Sequence, residues 1–294
     1  MIRACLVNTV IISAADTGFF GLLSGLVKSI RATQPEPFPF CVLDCGLEPD
    51  QRGWLAALDV ALVKPGWDYT GFEAPGPWFK AMPARPNLPK WVPGYEMYFW
   101  IDADCWVQDW AGPQKILDAA AEAGVAAVTE SDNAYPVTIG PDPDRHMAKF
   151  KDWNRAIIGS YFGPEIAEEI GAAPPINCGV FAATAASRLW AVWDEAMEAA
   201  LASGAPDKFF AEQCAFNVAL RARGVPFANQ PAWCNWACNR AWPMINNAGQ
   251  LVEPVFPHRP LGIVHMTGET KKGRHNLPVQ GGGTEMRSLE YPGR

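Results

Sequence analysis

Residues 96–104 read Glu96-Met97-Tyr98-Phe99-Trp100-Ile101-Asp102-Ala103-Asp104. Apolar and aromatic residues run straight into two carboxylates, the pattern of a buried strand ending at a polar edge. Side chains two apart in an extended chain project to the same side, so Asp102 and Asp104 can hold one hard divalent cation together. Mg²⁺ or Mn²⁺ in such a site commonly also takes phosphate oxygens and neutralises a diphosphate leaving group. The same two acids can equally cap the turn after the strand. A rival chemistry also uses a DxD string: haloacid-dehalogenase-like phosphatases take the first Asp as nucleophile. They place it near the start of the chain, whereas 101 residues precede Asp102 and Cys105-Trp106 follows the pair.

On both sides of this stretch, strand and helix patterns alternate. Residues 5–13 are β-branched and apolar and predict a strand; 19–32 carry apolar residues at helical spacing. Strands follow at 38–43 and 60–63, with a short helix at 50–57 between them. The Pro-rich stretch 65–93 predicts loop with one or two helical turns, and a helix at 114–123 then leads to a strand at 125–129. This order predicts an α/β fold with a Rossmann-like, mixed, mostly parallel sheet flanked by helices. Ligands of such sheets bind at the carboxyl ends of strands, so acids just after a strand are the first candidates. The second half predicts a strand at 176–183, helices at 185–202 and 207–223, an irregular Trp- and Pro-rich region at 231–260 and a last strand at 261–265. There is no internal repeat and no linker between two domains.

With 294 residues, 49% of them hydrophobic, the chain is long enough for a full core without staples. Against 31 Asp+Glu stand 24 Lys+Arg, a net charge of −7, which argues against nucleic acid as the main partner. Residues 5–15 are too short an apolar run for a membrane span of about 20 residues and are not followed by a cleavage site, so neither an anchor nor a signal peptide is expected. Eight cysteines without an export signal read as packed thiols of a reduced, cytoplasmic protein. The pairs Cys41/Cys45 and Cys234/Cys238 lack the CxxC spacing of a zinc knuckle. The 13 tryptophans call for either a large aromatic core or aromatic binding platforms.

After the last strand comes His265-Met266-Thr267-Gly268-Glu269-Thr270-Lys271. A neutral imidazole can complete a metal shell with two carboxylates, glycine lets backbone approach an anion, and lysine supplies a point charge for phosphate. The plain reading is a strand-end His in a turn.

This His-x-x-Gly-x-x-Lys spacing, together with the strand-DxD stretch, resembles glycosyltransferase family 8, the family of the lipopolysaccharide galactosyltransferases and glycogenin. The resemblance implies a GT-A fold and a retaining enzyme that uses a nucleotide sugar, commonly UDP-linked, and Mn²⁺ (or Mg²⁺). Asp102, Asp104 and His265 would hold the metal, and Asp102, Ala103, Gly268 and Lys271 would contact the nucleotide sugar. Four further matches lie in the family's order. Ala14-Ala15-Asp16 is similar to its uracil-binding start, with Asp16 accepting from the base and Phe19 stacking on it. Ala84-Arg85 places Arg85 at the diphosphate or donor sugar. Asn177-Cys178-Gly179-Val180-Phe181 resembles its Asn-x-Gly-Val stretch, with Asn177 facing the sugar. Glu212-Gln213 followed by Asn217 resembles its Asp-Gln…Asn, with Gln213 under the anomeric carbon and Glu212 on sugar hydroxyls.

Four positions depart from the family: Gly18 stands for an Asn, Glu212 for the usual Asp, and Lys272-Gly273 for Pro-Trp. Taken singly, each match has an ordinary role: Asp16 as a helix cap, Phe19 as core, Arg85 in a salt bridge, Asn177 in a turn, and Glu212 and Gln213 on a solvated helix face. Their joint order favours one domain over 1–294, with a nucleotide-binding part at about 1–130, an acceptor-side part at about 131–270 and a flexible tail at 271–294. The partners implied by the resemblance are a nucleotide-sugar donor, UDP-linked as is common in the family, and a saccharide or other hydroxyl acceptor. Trp233, Trp236 and Trp242 are either an acceptor wall or packing, with Trp67, Trp78 and Trp91 equally open. A catalytically silent nucleotide-sugar or carbohydrate binder on the same scaffold, and the phosphatase, remain the other classes.

Overall fold

The computed structural model describes residues 8–70, 76–135, 143–205 and 207–292, with backbone alone for 143–150. The expected start of the first strand, part of the Pro-rich stretch and Pro206, just ahead of the helix expected at 207–223, lie outside the described residues. Thr9–Ala15 (β1) leads into Phe20–Thr33 (α1), Phe40–Asp44 (β2) into Pro49–Ala56 (α2), and Val60–Val63 (β3) follows. Helix α1 forms because Leu23, Leu26, Val27 and Ile30 make one apolar stripe, all buried, with Arg31 in the last turn where the dipole favours a cation. The Pro-rich stretch holds four single turns rather than one or two: 3₁₀ turns at Pro77–Lys80 and Arg85–Asn87, and helical turns Ala81–Ala84 (α3) and Leu88–Trp91 (α4). Proline is tolerated there because three of the turns carry it in their first positions, where no N–H is needed.

Met97–Ile101 (β4) is followed by Cys105–Val107 (β5), Ala111–Ala123 (α5) and Val125–Thr129 (β6). Helix α5 ends at Gly124, whose φ of +85° gives the left-handed cap that glycine takes without strain. Next come Pro143–Ile170 (α6), Ile176–Thr184 (β7), Leu189–Ala202 (α7) and Ala211–Asn217 (α8), and α8 continues into a π-helical turn at Val218–Ala222. Helix α6 was not expected, and it is broken at Gly163, with φ +81° and Pro164 next to it. Short strands complete the chain: Ala228–Gln230 (β8), Trp236–Ala237 (β9), Met244–Ile245 (β10), Leu251–Val252 (β11) and Ile263–His265 (β12), then His275–Pro278 (β13) and Thr284–Arg287 (β14).

The main sheet has the order β3-β2-β1-β4-β7-β6-β8, parallel throughout except for β7, which runs against both neighbours. All five β4 side chains are buried. Met97, Phe99 and Ile101 join the core on one face, and Tyr98 and Trp100 the core on the other. Period-two alternation thus feeds two apolar layers, as expected of a strand covered on both sides. Each such side chain is worth roughly 1.5–3 kcal/mol on burial.

The tail, expected to be mobile, carries regular structure. β13 and β14 pair antiparallel, and Gly281, Gly282 and Gly283 take the positive φ values of the connecting turn. Leu277 and Leu289 are buried, and Trp106 donates its indole N–H to the Leu289 carbonyl at 2.8 Å. Among the described residues no helix is long and apolar enough to cross a membrane.

Candidate functional site

The antiparallel insertion of β7 builds the centre of the site. β4 ends at Ile101, paired with Val180, and the Asp102 N–H donates to the Gly179 carbonyl at 2.7 Å. The end of β4 and the beginning of β7 therefore meet, which brings Asp102 beside Asn177, Cys178 and Gly179. A second, three-stranded sheet supplies the rest. Its β12 pairs antiparallel with β5, His265 opposite Cys105, and the Met266 N–H donates to the Asp104 carbonyl at 2.9 Å. His265 thereby stands next to Asp104 although 161 positions separate them in the chain.

Asp16, Phe19, Arg85, Asp102, Ala103, Asp104, Asn177, Glu212, Gln213, His265, Gly268 and Lys271, the residues singled out from the sequence, all line one cleft of about 580 Å³. Trp78, open in the sequence between acceptor wall and packing, lines it too, and so do Trp153, Phe209, Phe210, Glu130 and Arg240, which carry no such expectation.

The two aspartates have opposite surroundings. Asp102 Oδ1 accepts from Arg85 Nη2 at 2.5 Å and from the Trp100 indole at 2.8 Å. Burial, with the charge of Asp104 adding to it, raises its carboxyl above the usual range despite Arg85. Burial pushes Asp104 the same way, but His265 and Lys271 outweigh it and hold that carboxyl well below the usual range. Lys271 Nζ donates to Asp104 Oδ2 at 2.6 Å, and His265 Nε2 lies 3.4 Å from Asp104 Oδ1. Burial disfavours the charged imidazole of His265, yet the Asp104 contact prevails and raises its titration.

This donor set fits a hard divalent cation. Ligand atoms on adjacent corners of an octahedron at about 2.1 Å from the ion stand about 3 Å apart, close to the His265–Asp104 separation. Ligand atoms of Asp104, Cys105 and His265 all lie within 4.8 Å of one another, the one such group among the described residues; Asp102 is not part of it, and the Cys105 thiol is too soft a donor for such an ion. Asp102 comes near through Gly179. A Cβ there would lie 2.5 Å from both Asp102 Oδ2 and His265 Cε1, so those two atoms are at most 5 Å apart.

Arg85 is the other hub. Buried, with its guanidinium 4.8 Å from the Trp100 ring, it also donates from Nη1 to Glu212 Oε2 at 2.9 Å. Glu212 is itself buried at the start of α8, and burial pushes its carboxyl up to about 7 against the pull of Arg85. Arg85 Nε and Glu212 Oε1 are buried without a partner, two polar atoms that a ligand can satisfy. Cys178 donates its thiol toward Glu212 Oε2 at 3.3 Å.

At the other end, Asp16 Oδ1 accepts from the Phe19 N–H at 3.0 Å, so part of its carboxylate holds the turn before α1. Phe19 is not core: it is 37% exposed, with Lys271 Nζ 5.3 Å from its ring. Gly268, φ +60°, opens the 3₁₀ turn that presents Lys271.

Asn177 is used internally. Its Nδ2 donates to Glu130 Oε1 at 2.9 Å, and its Oδ1 accepts from Gly179 N and from Asn235 Nδ2, each at 3.0 Å. Asn235, a buried residue with no motif around it, accepts at Oδ1 from His265 Nδ1 at 3.0 Å. Glu130 does carry a sequence signal, an acid directly after strand β6.

None of Trp233, Trp236 and Trp242 lines the cleft. Trp236 is fully buried and donates to the Ala241 carbonyl, Trp233 lies under Arg259, and Trp242 stacks on His275 at 4.7 Å. Besides Phe19, the exposed aromatics of the cleft are instead Trp153, 41% exposed on α6, and Phe209, 46% exposed before α8. Of the basic group at 271–275 only Lys271 reaches the cleft; Lys272 pairs with Glu269 and Arg274 with the Met286 carbonyl. The seven described cysteines are all free and buried.

No protein-family profile and no curated protein matches the chain. Solved structures do match. An active-site mutant of LgtC aligns at 14% identity and TM-score 0.54, over 88% of this chain and 87% of that one. The galactosyltransferase LgtC in complex with donor and acceptor sugar analogs aligns at 16% identity and TM-score 0.51, over 89% and 88%. The bifunctional glycosyltransferase WbbM aligns at 14% identity and TM-score 0.54 over 92% of this chain, which spans about half (47%) of that one. The mixed, mostly parallel sheet of this protein thus has the GT-A fold of glycosyltransferases.

Proposed function

We propose that the chain is a metal-dependent, retaining glycosyltransferase of the family 8 type that moves a hexose from a UDP-sugar to a saccharide hydroxyl. The observation that carries this is convergence: residues from six separate sequence stretches line one cleft of a GT-A fold. We read the chain as one domain, its nucleotide-binding part at about 1–130 and its acceptor-side part at about 131–270. The seven buried free thiols suit the reducing cytoplasm.

Asp102, Asp104 and His265 would hold Mn²⁺ or Mg²⁺, which supplies Lewis-acid charge to the diphosphate oxygens. Asp16 accepts from the uracil and Phe19 offers its exposed face to the ring. Arg85 and Lys271, aimed into the cleft, take up negative charge as it grows on the leaving diphosphate. Glu212 Oε1 accepts from donor-sugar hydroxyls, Gln213 lies beneath the anomeric carbon, and Asn177 braces the site from behind. In the transfer, the bond from the anomeric carbon to the diphosphate oxygen breaks and one to the acceptor oxygen forms on the same face. The acceptor proton passes to the departing diphosphate. Trp153 and Phe209 form the acceptor shelf, since sugar C–H faces pack on aromatic rings.

Incubation with a panel of nucleotide sugars, Mn²⁺ and mono- and disaccharide acceptors tests this. Donor hydrolysis or transfer, lost about a hundredfold or more in Asp102→Ala, is expected. Phosphate release from monoesters would establish the phosphatase, and binding without turnover the silent scaffold.

A further inference from the structure

A run of buried hydrogen bonds ends on His265 and has a direction. Arg240 donates from Nε to Glu130 Oε2 at 3.1 Å and from Nη2 to the same oxygen. Held by a guanidinium, the Glu130 carboxylate offers acceptors only. The amide group that meets Glu130 Oε1 must then be the NH₂ of Asn177. A second, independent contact orients Asn177 the same way, because the Gly179 backbone N–H can only donate, and it meets Asn177 Oδ1.

That oxygen also faces Asn235, so Asn235 turns its NH₂ to Asn177 and its carbonyl oxygen to His265 Nδ1. A carbonyl cannot donate, so Nδ1 must carry the ring proton. In a neutral ring the lone pair is then on Nε2, the nitrogen 3.4 Å from Asp104 Oδ1.

We propose that the Arg240–Glu130 ion pair fixes the tautomer of His265 through Asn177 and Asn235, making Asn235 a positioning residue that aims Nε2 at the Asp102–Asp104 pair. Asn235 and His265 are 1% and 3% exposed and Asn177 6%, so water does not compete for the bonds among these three, while the Glu130 and Arg240 side chains, 8% and 16% exposed, line the cleft. Each reversed amide would set like poles against each other. The five residues come from five different elements or loops: the end of β6, the start of β7, the loops before and after β9, and β12. Only the folded chain assembles this order. The tautomer stands on hydrogen-bond polarity alone; its consequence for metal affinity rests on the metal reading above. Partners of this kind typically change metal affinity by 10- to 100-fold.

Long-range ¹H–¹⁵N NMR on the metal-stripped protein, at a pH above the His265 titration, reads the tautomer directly, with only four histidines to assign. A protonated Nδ1 and unprotonated Nε2 are expected; a proton on Nε2 overturns the proposal without any variant. Asn235→Ala should give mixed tautomers and weaken Mn²⁺ binding by about 10- to 100-fold by calorimetry. Asn235→Asp, which still offers an acceptor to Nδ1, should restore the wild-type tautomer, a result that a purely structural role for Asn235 does not require. An unchanged tautomer in Asn235→Ala overturns the lock. The expected tautomer in a wild-type protein that binds no Mn²⁺ would leave the lock standing and remove the metal reading instead.

Discussion

Gly179 shows how much one missing carbon decides. Its backbone carbonyl holds Asp102, and its absent Cβ leaves room for Asp102 Oδ2 and His265 Cε1 to approach the same point. In Gly179→Ala, a carbon 2.5 Å from both must push one of them away. Mn²⁺ affinity should drop by about tenfold or more with melting temperature barely changed, and calorimetry beside a melting curve checks both. Glu212 sets up a different test. Folded, it binds its proton up to about pH 7, whereas unfolded it releases it near the ordinary 4.5. Between those values the native state holds more protons than the unfolded chain, so stability falls as pH rises through that window. The loss is on the order of 3 kcal/mol, complete about one pH unit above 7. Glu212→Gln should flatten this part of the profile, read from urea unfolding at pH 4.5, 6 and 7.5.

At the level of elements, helix α5 and the segment entering β12 meet through two glycines. A Cβ on Gly112 would lie 2.7 Å from Gly262 Cα, and one on Gly262 2.5 Å from Gly112 Cα. Neither obstacle is a side chain that can swing aside, so Gly112→Ala or Gly262→Ala should cost about 1–3 kcal/mol and lower the melting temperature by several degrees. Helix α6 carries another test: Trp153→Ala should raise the acceptor KM by about three- to tenfold and leave donor hydrolysis unchanged. Strand β4 could be read from the sequence because it is apolar on both faces. α6 could not, because Gly163 and Pro164 interrupt it and its charges are spread around the helix. Nor could the β13–β14 hairpin, since three successive glycines read equally as a mobile tail or as a turn needing positive φ. The same limit applies within the site. Asp102, Asp104, His265 and Lys271 sit in short strings with a chemical meaning of their own. Asn235 stands between Trp233 and Trp236, and its value comes wholly from His265, 30 positions away.

Over the whole molecule, the acidic balance bears on how an anion enters. With a net charge of −7, long-range attraction does not draw a nucleoside diphosphate to the protein. In the cleft, moreover, Lys271 is paired with Asp104, and Arg85 with Asp102 and Glu212. A diphosphate arriving alone must compete with carboxylates for both cations. A divalent cation on the two aspartates relieves that competition at Lys271 and at Arg85 Nη2, while Arg85 Nη1 stays with Glu212, so the two ligands should bind with positive coupling. Thermal unfolding reads this directly. UDP alone should move the melting temperature little, Mn²⁺ alone modestly, and the two together by more than the sum. A ligand at a hundredfold over its Kd adds about 2.7 kcal/mol, or several degrees in a chain of this size. Lys271→Ala should keep the shift with Mn²⁺ alone, because Asp104 loses a competitor, while the added gain from UDP shrinks. Equal shifts with UDP in the presence and absence of Mn²⁺ would show that the cations of the cleft bind the diphosphate without help, against the pairing seen at Asp102 and Asp104.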